Sequence, residues 1–98
     1  MKKPLLARRY IVSGRVQGVG FRYYVEDVAG NIGLQGFVRN RRDGCVEVLG
    51  IGTPEQLKQL RAALEKGPLM SHVKSVVEEP ESVDARYLGN FIIEFSAE

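Results

Sequence analysis

The apolar pattern first changes period, abruptly, between residues 16 and 21. That change restricts the chain to architectures in which a strand turns directly into a helix. Before it, "RYIVSGRV" over residues 9–16 puts Tyr10, Val12 and Val16 on one parity, the signature of a half-buried strand. After it, Phe21, Val25, Val28, Ala29 and Ile32 recur at i, i+4, i+7, i+8 and i+11, one stripe of a helix. Gly33 is a natural stop for that helix. The break itself is the glycine-rich "QGVG" of residues 17–20.

The rest of the chain repeats the theme with other punctuation. In "LQGFVRNRRDGCVEVLG" two short apolar runs flank Asp43-Gly44, a hairpin signal, and predict strands at about 36–41 and 45–50. "TPEQLKQLRAALEKGP" predicts a second helix. Thr53 is its N-cap, Pro54 sits at N1, and Gln56 at N3 completes a capping box. Leu57, Leu60 and Leu64 form its apolar stripe, and Gly67-Pro68 ends it. "SHVKSVVEE" reads as a strand with Val73 and Val77 on one parity. "DARYLGN" reads as a loop, and "FIIEF" as a last strand whose Phe91, Ile93 and Phe95 share a face.

The order β-α-β-β-α-β plus a short terminal strand predicts an α+β, ferredoxin-like split β-α-β fold. Its sheet is mixed but mainly antiparallel, with both helices on one face. The crossover helix makes the first two strands parallel, and the split arrangement inserts the third between them. Their C-terminal ends then leave the sheet on the same edge. Asn40, at the end of strand two, should therefore stand close to the turn at 17–22.

A length of 98 residues predicts one domain spanning 1–98. Fourteen basic and twelve acidic side chains give +2, too small to imply nucleic-acid attraction, although basic residues crowd the first half. Cys45 is alone, which fits a reducing, cytoplasmic location. "MKKPLLARRY" lacks the apolar core of a secretory signal, and no apolar run approaches the ~20 residues of a membrane helix. His72 has no second ligand at metal spacing, Glu26 and Asp27 point in different directions on their helix, and Cys45 lacks an activating neighbour. Tyr23 and Tyr24 read as packing residues, and Arg41 and Arg42 as a solvated hairpin tip.

The chemistry concentrates in the break. The N–H groups of Gly18, Val19, Gly20, Phe21 and Arg22 can converge on one point, because glycine permits unusual φ and close backbone approach. A helix N-terminus adds donors and partial positive charge. Arg22, in the first helical turn, adds a fixed charge and a bidentate fork. The predicted ligand is a small dianion such as phosphate.

"GRVQGVGFR" followed by "GFVRNRRDGCVEV" resembles the acylphosphatase family, through Gly14, Val16, Gln17, Gly18, Val19, Phe21 and Arg22 and then Gly36, Phe37, Val38, Asn40, Gly44 and Val46. The likeness covers the chain in length and element order. It is weaker at "KGPLMSHV", where Ser71 stands at the family's alanine position. The resemblance implies a hydrolase of small acyl phosphates that needs no metal or other cofactor. It implies that residues 17–21 (Gln17, Gly18, Val19, Gly20, Phe21) cradle the substrate phosphate together with Arg22, and that Asn40 orients the attacking water. The expected partner is a small acyl phosphate, or phosphate itself, with no membrane or nucleic acid and a monomeric chain. Two other readings compete. One is a phosphate-binding module without catalysis. The other is an RNA-binding module, since "QGVGFRYY" echoes an RNA-recognition pattern. That pattern belongs on the third strand, however, where Val46 and Val48 offer no stacking platform.

Overall fold

The computed structural model describes residues 4–95. Its elements are β1 (Leu6–Arg15), α1 (Phe21–Ile32), β2 (Gln35–Asn40), β3 (Val46–Gly52), α2 (Pro54–Lys66), β4 (His72–Glu81), a 3-10 turn (Ala85–Tyr87) and β5 (Phe91–Ile93). The five strands lie in the order β4-β1-β3-β2-β5. Only the β2–β5 pair is parallel; β1–β3, β1–β4 and β2–β3 are antiparallel. This is the predicted ferredoxin-like α+β fold with β3 between β1 and β2. No helix among the described residues is long and apolar enough to cross a membrane.

The two faces of the sheet have different cores. Under the helices lie Tyr10, Val12, Val16, Val38, Val46 and Val48, packed against Phe21, Val25 and Ala29 of α1 and Leu57, Leu60 and Leu64 of α2. These are the stripes that the periodicity selects. The opposite face holds a smaller cluster, Ala7, Phe37, Leu49 and Ile51, roofed by Tyr87. On the same parity Glu47 is almost fully buried between Arg9 (3.5 Å) and Arg39 (3.1 Å). Burying a carboxylate is costly unless it is paired, and the two guanidinium groups provide the pairing.

α2 begins as its sequence dictates. Thr53 Oγ1 accepts from Gln56 N (3.3 Å), and Gln56 Oε1 accepts from Thr53 N (2.8 Å). The same carboxamide donates to Ile32 O (3.0 Å), so one glutamine caps the start of α2 and holds the end of α1.

Several expectations need correction. β1 starts at Leu6 rather than at 9, and the second pair of strands runs 35–40 and 46–52 rather than 36–41 and 45–50. Val77 does not share a face with Val73: Val73 and Val76 pack against the core, while Val77 is 51% exposed. The cause is a bulge. Ser13 pairs with Ser75 but Gly14 pairs with Val73, so Lys74 is the extra residue and the parity shifts there. Gly14 makes the bulge possible, because at its φ of 123° a Cβ would lie 2.1 Å from His72 O. Phe95 does not extend the last strand, which ends at Ile93; its side chain is 96% exposed. Tyr23 is also largely exposed, whereas Tyr24 is half-buried, donates to Ala63 O (2.9 Å) and meets Phe21 edge-on. The "DARYLGN" loop contains the 3-10 turn, capped by the Asp84 carboxylate. At Ser71 the hydroxyl donates to Pro68 O (2.7 Å) and closes the turn after α2.

Candidate active site

α1 begins without a side-chain cap. Gly20, its N-cap residue, lies in the left-handed region (φ 76°, ψ 19°), and no side chain bonds the first-turn N–H groups. Gly18 also has positive φ, at 73°. Alternation of left-handed and ordinary backbone turns successive N–H groups toward one side, forming an anion-binding concavity. The space beside both Cα atoms is open: a Cβ on either would meet nothing within 4 Å. Glycine is required here by conformation and not by crowding. The flanking residues are anchored, Phe21 in the main core and Val19 packed against it. The concavity is thus a rigid object built on a strand end and a helix start.

Arg22 lies in the first turn of α1, half-buried, and makes no ion pair or hydrogen bond with any described residue. It lines a groove of about 450 Å³ together with Ile92, Ile93, Glu94 and Phe95. Most other arginines of the described chain are paired: Arg9, Arg39, Arg41, Arg61 and Arg86 each contact a carboxylate.

Asn40 is the last residue of β2 and lies opposite Val46 of β3. Val46 is flanked on its other side by Val12 of β1, so Val12, Val46 and Asn40 form one row across three strands. Strands are spaced roughly 4.8 Å apart, which sets Asn40 two strand widths from β1. Asn40 also shares the parity of Val38, whose side chain faces the helices. A second path leads to the same corner. Glu94 N donates to Val38 O (2.9 Å), and Glu94 lines the groove with Arg22.

Gln17 provides the direct link. Its Nε2 donates to Arg41 O (2.7 Å) and to Cys45 O (2.9 Å), across the mouth of the β2–β3 hairpin. The hairpin is closed by Arg41 N to Cys45 O (2.9 Å) and by Asp43 Oδ1, which accepts from Cys45 N (3.0 Å). That backbone bond, ahead of the Arg41 guanidinium, holds the Asp43 carboxyl below its ordinary range. So the Gln17 side chain, expected as part of the phosphate cradle, is spent on joining the cradle to the hairpin that carries Asn40. Arg41 is not a free tip residue but pairs with Asp43 at 3.0 Å. Burial pushes the Cys45 thiol up, away from nucleophile chemistry. Among the described residues no group of three His, Cys, Asp or Glu is placed to hold a metal ion.

What sequence reasoning missed is the groove wall. Phe95 reads as an ordinary strand residue, but it lies past the end of β5 and lines the groove with Arg22.

Fold and site together define a ferredoxin-like domain whose strand-to-helix turn leaves the start of α1 without a side-chain cap. The acylphosphatase family model matches residues 8–93, and the chain belongs to the acylphosphatase family. It is 44% identical to an acylphosphatase of Pasteurella multocida, over 93% of this chain and 100% of that protein. The crystal structure of acylphosphatase from Bacillus subtilis superposes with a TM-score of 0.85 at 38% identity, covering 91% of this chain and 98% of that one. Full-length HypF, in a phosphate- and nucleotide-bound form, contains a similar unit: TM-score 0.89, 26% identity, 98% of this chain but 12% of that one.

Proposed function

We propose that this protein hydrolyses the carboxyl–phosphate anhydride of small acyl phosphates, with residues 1–98 acting as one domain. The observation that carries the reading is the unfilled donor set at the start of α1, beside an arginine without a described partner, tied by Gln17 to the strand end that bears Asn40. The N–H groups of residues 18–22 bind the phosphate oxygens, and the Arg22 fork neutralises their charge. As the phosphorus–oxygen bond to the carboxylate breaks, charge develops on the equatorial and leaving oxygens, where fixed donors stabilise it most.

Asn40 accepts a hydrogen bond from a water and holds it in line with that bond. A carboxamide is no base, so the water proton passes to a phosphate oxygen as the new phosphorus–oxygen bond forms. The products are a carboxylate and inorganic phosphate. A carboxylate leaves readily, so positioning and charge complementarity are sufficient and no metal takes part. The protein works as a monomer in the cytoplasm, consistent with its single half-buried cysteine.

The test is phosphate release from acetyl phosphate with excess chelator, comparing the parent with Asn40→Ala. Release by the parent, unaffected by chelator and lost in the variant, is expected. No release by the parent refutes the hydrolase reading; loss on chelation refutes the metal-free one. A rate for Asn40→Asp above that of the parent would show that residue 40 acts as a base.

A further inference from the structure

The groove beside Arg22 is apolar where the cradle is polar. It is lined by Ile92 and Ile93 of β5, by Glu94 and by Phe95 just past the strand. Ile93 turns into the main core, but Ile92 is 38% and Phe95 96% exposed. A phenylalanine held almost wholly in water next to an arginine contributes nothing to the fold, so its position calls for another account.

The charge of the groove points the same way. The Glu94 carboxylate is engaged elsewhere: Tyr87 Oη donates to its Oε2 (2.9 Å), and Arg39 lies 3.6 Å from its Oε1. Among the described lining residues, Arg22 is then the one whose charge has no described partner. The volume, about 450 Å³, falls within the ~300–1,000 Å³ typical of small-ligand sites, which are mostly apolar with a few polar anchors.

An acyl phosphate is a molecule of this polarity. Its phosphate is dianionic, and two bonds away its acyl carbon carries a substituent that is usually apolar. With the phosphate held by the N-terminus of α1 and by Arg22, the substituent must leave the cradle along a surface that Arg22 borders. We infer that the groove between the first turn of α1 and β5 receives the acyl group, and that Phe95 makes the enzyme favour longer, apolar acyl chains. The inference rests on the hydrolase reading above and adds to it the substrate class. Ile92 is registered beside Phe37, so its side chain lies on the sheet face away from the helices, which makes it a control position. Phe95 follows the last strand and can settle against chains of different shape.

The experiment compares kcat/KM for acetyl phosphate and hexanoyl phosphate in the parent, Phe95→Ala and Ile92→Ala. One methylene in an enclosed apolar pocket is worth about 10-fold or more, and a half-open groove returns only part of that per methylene. In the parent, hexanoyl phosphate is expected to exceed acetyl phosphate about 10-fold. In Phe95→Ala this ratio should fall to about 2–3, the loss falling mainly on hexanoyl phosphate. Phe95 is exposed, so its truncation leaves folding intact, which the thermal midpoint checks. A ratio unaltered in Phe95→Ala, or one that falls equally in Ile92→Ala, overturns the inference while the hydrolase reading stands. Equal losses on both substrates also overturn it, since they indicate a disturbed cradle rather than a lost wall. If the parent cleaves neither substrate, the hydrolase reading fails and this inference fails with it.

Discussion

The two helices begin in opposite ways. α2 starts with every device that satisfies a helix N-terminus: a Thr53–Gln56 capping box, proline at N1 and Glu55 in the first turn. α1 starts with a left-handed glycine, no side-chain cap, no acidic residue in its first turn and an arginine in that turn. An arginine near the positive end of a helix dipole is unfavourable by a few tenths of a kcal/mol, and a glycine in place of a side-chain cap costs about a few tenths more. Both costs fall on the terminus that faces the groove, and neither falls on the terminus that faces the other helix. One helix start is built for stability. The other keeps its donors available, and its anchoring comes from Phe21 and Val19 in the core.

This contrast can be broken or sharpened by substitution. The largest effect is expected at Arg22→Lys, which keeps the charge but loses the fork. Activity should fall about 100-fold or more, the scale for removing one preorganised donor, with little change in thermal midpoint. Near-parent turnover would mean that the uncapped helix start acts without its arginine. Asn40→Ala should lower kcat about 100-fold while KM moves only a few-fold, because positioning of the water and not binding is lost. A proportionate rise in KM would reassign Asn40 to substrate binding.

Gln17→Ala is the intermediate case. It leaves the cradle backbone in place but removes both bonds to the hairpin, so activity should drop about 10-fold and stability by about 1–2 kcal/mol. Urea unfolding together with acetyl phosphate kinetics reads both, and a change in stability alone would show that the tie is structural. The smallest effect on turnover is expected at Thr53→Ala. It should cost about 1 kcal/mol, or about 4–8 °C in thermal midpoint, with kcat/KM unchanged. If Thr53→Ala slowed catalysis, the division of labour between the two helix starts would be wrong.

The half of the molecule that rests on local chemistry was legible in the sequence. The capping box, the hairpin at Asp43-Gly44, the stripes of both helices and the glycine turn each use residues within about one turn of one another. Parity and crossover logic then brought Asn40 toward the cradle, and the row Val12–Val46–Asn40 is its physical form. Features that depend on distant pairing were not legible. Lys74 bulges because Gly14, on another strand, lets His72 O approach; nothing in "SHVKSVVEE" announces it. Glu47 is buried because Arg9 and Arg39 arrive from both sides. The Gln17 side chain bonds hairpin carbonyls 24 and 28 residues later, so its backbone role could be foreseen and its side-chain role could not. Phe95 looked like a core residue because alternation continues beyond the point where β5 stops pairing.

The insertion of β3 between β1 and β2 also has a consequence in time. The hairpin that supplies Asn40 closes a short loop, whereas the cradle reaches that corner only when β1 zips onto the far side of β3 over Leu6–Val12. Local closures are fast and distant ones slow, so a refolding chain must acquire its hairpin before its cradle is in place. A slip of one residue in the β1–β3 ladder would send the whole of β1 to the wrong face and leave Gln17 facing no hairpin. Turnover is then a report on assembly: it requires the β1–β3 ladder in register, a condition that a helix or hairpin signal alone does not test.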